Sequence, residues 1–263
     1  MLFRSYVMTV RDYRALEGFE LVPFDEPFDH ARAVKSEAEL ASVRESVRIN
    51  EEGFELFFSH YEPGKTAAAV MAAAEDFFVE QGCGRLTMNM VLTGPDGLAL
   101  PEFKIARRDE VLGDFVLPSL EVAGPGMHWV EVSRAIAARA GSWSEDTARM
   151  LEAYEEYHAA AREAMRAGAS AHDVHRAVSA GFTARGYHLG HVTGHSIGMT
   201  MIEFPKIGEG VQTELAENMV FSLHPHAIAE NGRDCLYMQD TWLVTPTGGE
   251  PLSRLPMQVF TKE

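Results

Sequence analysis

The sequence predicts an α+β chain in which helix pairs lie outside and strands inside, built as two related halves. Three observations predict it. A helix–Gly–helix–Gly pattern occurs twice in one register, each occurrence is followed by alternating apolar and polar strand-like runs, and no apolar stretch approaches the roughly 18 residues of a membrane span.

The elements follow in order. From Ser36 the run SEAELASVRESVRINEEGFELFF spaces Ser36 and Glu39 as a capping box and puts Leu40, Val43, Val47, Phe54 and Phe57 on one helical face. The helix stops near Pro63-Gly64, Thr66 caps the next one, and Gly82 ends it. The same grammar returns from Ser144, with Ser170 as the second cap and Gly186 as the second stop. Gly64/Gly168, Thr66/Ser170, Val70/Val174, Phe78/Phe182 and Gly82/Gly186 match at a constant offset. Strands are expected over Arg85 to Leu92, Asp114 to Val122, Gly190 to Met201, Asn218 to His224 and Cys235 to Thr245, and the segment Gly124 to Arg134 reads as a tight turn entering a strand.

Composition bounds the function. The 263 residues carry 23 Lys+Arg against 39 Asp+Glu, a formal charge of −16, and 46% are hydrophobic. Such a surface repels phosphates, which argues against a nucleic-acid ligand. Cys83 and Cys235 stand alone and far apart, so they form neither a disulfide framework nor a zinc cage, and a reducing cytoplasm is the expected setting. The N-terminus lacks a basic start followed by an apolar run, so neither export nor membrane attachment is expected.

Candidate chemistry falls on the strands. Gly190-His191-Val192-Thr193-Gly194-His195-Ser196 sets two histidines four apart among glycines that admit a close ligand, and an extended segment would point both to one face. Phe221-Ser222-Leu223-His224-Pro225-His226 and Tyr237-Met238-Gln239-Asp240 alternate apolar and polar residues. In the turn-to-strand segment, Glu131 and Ser133 share one face and Val130 and Val132 the other, while the plain reading of Glu131 and Arg134 is a surface pair.

The string GHVTGHSIGMTMIEFPKI resembles the signature of the pita-bread-fold metallopeptidases and their relative creatinase, a superfamily that includes methionine aminopeptidase, aminopeptidase P and prolidase. VKSEAELASVRESVRI, LALPEFKIARRDEVLGD, ENMVFSLHPHAI and MQDTWLVTPTGGEPLS agree with it in order and spacing, so the resemblance runs from about Val34 to Leu255. It implies the pita-bread fold over residues 30–263, with residues 1–29 as the tail of an N-terminal domain, and it implies a homodimer. A typical member binds two divalent metals through two Asp, one His and two Glu. On this chain those positions hold Ser119 (LPSLEV, where the family has LDLG), Glu131, His195, His224 and Gln239, while flanking catalytic histidines become Glu102 and Ile202. His191 matches a substrate-contacting histidine of the proline-specific branch.

Two dications need several bridging carboxylates, and these five positions retain one, so a dinuclear centre is not expected. Three readings stay open. One is a creatinase-like hydrolase of a C–N bond in a small nitrogenous compound that needs no cofactor, with His195 or His224 as acid/base and Glu102 or Glu131 as partner. Another is a mononuclear enzyme whose Glu131, His195 and His224 hold one Fe, Mn or Zn ion, Xaa-Pro peptidase-like chemistry included. The third is a non-catalytic binding protein. His191, Gln239, Ser119, Tyr237 and Trp129 are the candidate substrate-binding residues, and Trp129, Tyr237, His191, His226 and Phe103 would give an aromatic, polar-edged cavity for a small cationic or amidine-like compound.

Overall fold

The computed structural model describes residues 8–83, 89–93, 105–232 and 234–262, and the backbone of residues 2–3. Two short helices, α1 (Val10–Ala15) and α2 (Asp25–Ala33), come first. Two helix pairs follow, α3 (Glu37–His60) with α4 (Ala67–Glu80) and α5 (Glu145–Ala164) with α6 (Ala171–Ala184).

The caps are the ones the sequence specifies. Ser36, Thr66, Ser144 and Ser170 each accept a hydrogen bond from the backbone N–H three residues on, and Ser36 with Glu39 closes a full capping box. Gly82 and Gly186 end α4 and α6 at φ of 73° and 80°, a left-handed conformation that side chains resist. The repeat seen in the sequence is thus a repeat in space.

Each helix pair covers one apolar core. Val43, Phe54, Phe57, Val70 and Phe78 pack with Val116, Leu120, Val122 and Val130, whereas Tyr154, Tyr157, Val174 and Phe182 pack with Phe221, Leu223, Leu236 and Trp242. The strands between them form two larger sheets and a smaller third. In the first, Phe115–Ala123 pairs antiparallel with Met90–Thr93 on one side and with Trp129–Ser133 on the other. In the second, Gly249–Pro251, Asp240–Val244, Val220–Leu223, Gly194–Ser196 and Glu203–Ile207 lie side by side, all antiparallel. Cys235–Tyr237, His226–Ile228 and His188–Leu189 make the third.

The expected Cys235–Thr245 strand is therefore two strands in different sheets, and the break falls at Met238-Gln239. Gln239 uses its backbone elsewhere: it exchanges hydrogen bonds with Ser133, N–H to O at 3.2 Å and 3.4 Å, and this bridge is the seam between the halves. Arg134 locks that seam. Its guanidinium donates to both oxygens of Asp240 at 2.9 and 3.0 Å and to the carbonyls of Ser133, Gln239, Leu255 and Pro256 at 2.7–2.9 Å. Arg134 and Asp240 are both 0% exposed, so the surface pairing of Glu131 with Arg134 read from the sequence is incorrect. A strand-end arginine becomes an interior clamp because a planar five-donor fork can satisfy several buried acceptors at once.

Candidate metal centre

The seam gathers side chains from both halves. Ser119 and Glu121 come from Phe115–Ala123 and Glu131 from Trp129–Ser133, while His195 comes from Gly194–Ser196, His224 follows Val220–Leu223, and Tyr237 and Gln239 flank the break. The approach of the Gly194–Ser196 strand is close: a Cβ on Gly194 would overlap the Ser222 carbonyl oxygen, so glycine is required there. His191 sits in the loop before that strand instead of sharing its face with His195, yet both rings reach His224, each with a centroid separation of 5.0 Å. The Tyr237 ring lies tilted at 5.6 Å from His224 and edge-on at 5.5 Å from His226.

Glu131, His195 and His224 each present one donor atom within 4.8 Å of the other two, and all three are buried. Their hydrogen bonds aim them. The His195 Nδ1 lies 3.0 Å from the Ser196 carbonyl, which makes Nδ1 the protonated nitrogen and leaves the Nε2 lone pair facing Glu131 Oε1 at 3.5 Å. Glu131 Oε2 accepts from the Ser222 hydroxyl and from Gln239 Nε2, the latter at 3.1 Å, so Oε1 is the oxygen left for a cation. Among the described residues, the buried Nδ1 of His224 has no hydrogen-bond partner. Such an orphaned nitrogen costs free energy unless something occupies its lone pair.

The electrostatics fit the same role. Burial pushes His195 and His224 below the ordinary histidine range, and for His224 the neighbouring His195 and His191 push it further, so both rest as neutral imidazoles with a lone pair to give. Burial pulls His226 down to about 4 and also lowers His191. Glu131 is raised by burial, against the opposing Ser222 hydrogen bond, and Glu121 is raised by burial and then by the Glu131 carboxylate. Tyr237 is raised far above its ordinary value by burial and by both carboxylates, so it keeps its hydroxyl proton.

Among the described residues, Glu131, His195 and His224 form a donor set that fits a divalent ion. Ser119 and Gln239 hydrogen-bond each other, the Ser119 hydroxyl donating to Gln239 Oε1 at 2.5 Å, and neither is a charged ligand. Ser119, Gln239, Tyr237, His191, Glu131, His195 and His224 are thus brought together. No side-chain hydrogen bond or ring contact joins Trp129 to them; it packs against the α3/α4 core. Glu102 and Phe103 lie outside the described residues. Sequence reasoning missed Glu121, which is 3% exposed and stands directly opposite Glu131 across the strand pair. Its signal was available, since it lies two residues after Ser119 on the same strand face.

Residues 41–246 match the model of metallopeptidase family M24. The chain is 28% identical over 232 residues to the probable dipeptidase PepE of Mycobacterium tuberculosis, covering 87% of this chain and 60% of that protein. It is 26% identical over 257 residues to the Xaa-Pro dipeptidase of Lactobacillus delbrueckii, covering 94% and 68%. It therefore spans about 60% of the length of the first of these relatives. Among solved structures, the prolidase from Pyrococcus horikoshii superposes with a TM-score of 0.86 at 20% identity, over 97% of this chain and 74% of that one. The X-Pro aminopeptidase from Thermotoga maritima gives 0.85 at 18%, over 99% and 74%. The fold is the pita-bread fold that the sequence predicts. No described helix is long and apolar enough to cross a membrane.

Proposed function

The chain belongs to metallopeptidase family M24, and from that premise we propose that it hydrolyses a C–N bond in dipeptide-like substrates with one divalent cation held by Glu131, His195 and His224. The observation that carries the reading is the 3.5 Å separation of His195 Nε2 and Glu131 Oε1, with each residue's other polar atom already engaged. Two donors each about 2.1 Å from a shared tetrahedral ion stand about 3.4 Å apart. Two imidazoles and one carboxylate on one side of an ion leave its remaining positions open, as a hydrolytic centre requires.

When bound, such a cation supplies Lewis acidity that activates a water and polarises a carbonyl. The protein does the rest. The Ser196 carbonyl fixes the tautomer of His195, and Ser222 with Gln239 fixes the rotamer of Glu131. Tyr237, accepting from Gln239 Nε2 at 3.2 Å, keeps a hydroxyl proton beside the substrate space, and His191 lines its exposed rim. The names of the relatives, a probable dipeptidase and an Xaa-Pro dipeptidase, support a dipeptide as substrate class.

Metal-independent acid/base chemistry has less behind it: burial works against a protonated His195 or His224, the form that a general acid needs at the outset. The test is hydrolysis of Xaa-Pro and non-proline dipeptides by chelated protein reloaded with Zn(II), Mn(II) or Fe(II). Turnover that vanishes on chelation, returns with metal and is lost in His195→Ala supports the reading. Turnover indifferent to chelation overturns it.

A further inference from the structure

Two strand pairs meet beside the site in one register. Val220–Leu223 pairs with Asp240–Val244 as far as Leu223 opposite Asp240, and His226–Ile228 pairs with Cys235–Tyr237 from His226 opposite Tyr237 onward. Continuing either ladder would set His224 against Gln239 and Pro225 against Met238, yet among the described pairings neither rung forms. The main chain turns to other partners there: the His224 N–H donates to the Thr193 carbonyl at 2.8 Å, and Gln239 bonds Ser133.

One hydroxyl fills the opened rung. The Ala229 N–H donates to the Asp234 carbonyl at 2.8 Å, and the antiparallel alternation counted from that pair makes 225 and 238 a hydrogen-bonded pair as well. Pro225 has no N–H, so a closed rung would hold a single bond, from the Met238 N–H to the Pro225 carbonyl. The Tyr154 hydroxyl of α5 stands between those two groups instead. It accepts from the Met238 N–H at 3.1 Å and shares its proton between the carbonyls of Pro225 and Leu236, the latter at 2.9 Å. Burial pushes its ionisation far above the ordinary tyrosine range, so the proton stays. The ring is 0% exposed and packs edge-on against Tyr157 and Phe182, with centroids 5.8 and 4.9 Å away, so the strands must fit the oxygen and not the reverse. From the two sides of this gap His224 reaches Glu131 and His195, and Gln239 reaches Glu131.

We propose that Tyr154 is a positioning residue of the cation site: its hydroxyl, inserted between Met238 and Pro225, sets where His224 and Gln239 stand. The inference rests on the single-cation reading and deepens it. Removing the oxygen lets the Met238 N–H close directly on the Pro225 carbonyl and draws His224 away from its place beside Glu131 and His195.

The test compares the full wild-type chain with Tyr154→Phe, Phe182→Leu and His224→Ala. It reads Zn(II) affinity by chelator competition at one pH, the visible absorption spectrum of the Co(II)-loaded proteins, and the melting temperature of the chelated proteins. Phe182→Leu weakens the same aromatic packing but leaves the hydroxyl in place, so it calibrates destabilisation alone. Tyr154→Phe should bind Zn(II) about 10-fold more weakly and shift the Co(II) spectrum, while Phe182→Leu melts below wild type yet keeps wild-type affinity and spectrum. Wild-type affinity and spectrum in Tyr154→Phe, with binding lost in His224→Ala, overturn the inference and leave the single-cation function standing. Affinity that falls in step with melting temperature in both Tyr154→Phe and Phe182→Leu makes Tyr154 structural and also overturns it. A wild type that binds no Zn(II) overturns both.

Discussion

Replacing Arg134 with leucine removes the side chain that ties the end of the Trp129–Ser133 strand to Asp240 and to the 255–256 backbone. The Asp240 carboxylate loses a bidentate partner and keeps only His158, whose Nε2 stands 3.5 Å from Oδ2. Four carbonyls lose a charged donor in the same step. Breaking a buried pair from one side costs about 3–5 kcal/mol. At an unfolding entropy of about 2.1 cal/mol/K per residue, the 263 residues give about 0.55 kcal/mol/K, so the melting temperature should fall by about 5–9 °C. Differential scanning calorimetry on the metal-free protein reads this directly. Arg134→Leu combined with Asp240→Leu should recover more than half the loss, because the double change leaves no unpaired charge. A single-variant loss below about 1 kcal/mol, or a double variant worse than the single, would show that Arg134 is not the clamp described.

Zn(II) at a hundredfold excess over its dissociation constant should stabilise the wild type by about 2.7 kcal/mol, a rise of about 5 °C on the same scale, and His195→Ala or His224→Ala should abolish the rise; an undiminished rise in either would remove that histidine from the donor set. In the chelated protein, Glu121 and Glu131 hold protons that the unfolded chain releases near pH 4.5, so the folded state binds more protons and stability declines as pH rises. The lowered histidines act oppositely, but only below about 6.5, where the unfolded chain protonates them. Between about pH 6.5 and 8 the melting temperature of chelated wild type should therefore fall, and that of Glu121→Gln should stay flatter; a rising wild-type curve would contradict the assignment. Gly53→Ala in α3 would drive a Cβ into the Phe78 ring of α4, and overpacking of about 1–3 kcal/mol should outweigh a helix-propensity gain of about 1 kcal/mol; a melting temperature above wild type would refute the tight helix contact.

What the sequence made legible is what local chemistry decides. Ser36, Thr66, Ser144 and Ser170 announce their helices because an N-cap needs only its own next three residues, and Gly82 and Gly186 end theirs for an equally local reason. His195, His224, Glu131 and Gln239 were reachable because a strand's two-residue period tells which side chains share a face, and the family resemblance says which faces meet. Glu121 escaped although the two-residue period puts it on the face of Ser119, because an acidic residue between Leu120 and Val122 reads as a solvent-facing position and only the folded chain buries both faces of Phe115–Ala123. Arg134 escaped for a longer-range reason. Its acceptors lie about a hundred or more residues away along the chain, at Asp240, Leu255 and Pro256, and only the closed seam brings them to it. The same seam splits Cys235–Thr245 into two strands, because Gln239 pairs with Ser133 across the halves instead of continuing its own ladder.

The most direct test of the single-cation account is metal stoichiometry. Protein saturated with Zn(II), desalted and analysed by native and elemental mass spectrometry should carry one ion per chain, and Glu131→Gln should carry none. Two ions per chain would restore a dinuclear centre, and an ion retained in Glu131→Gln would place the metal elsewhere; either result contradicts the account.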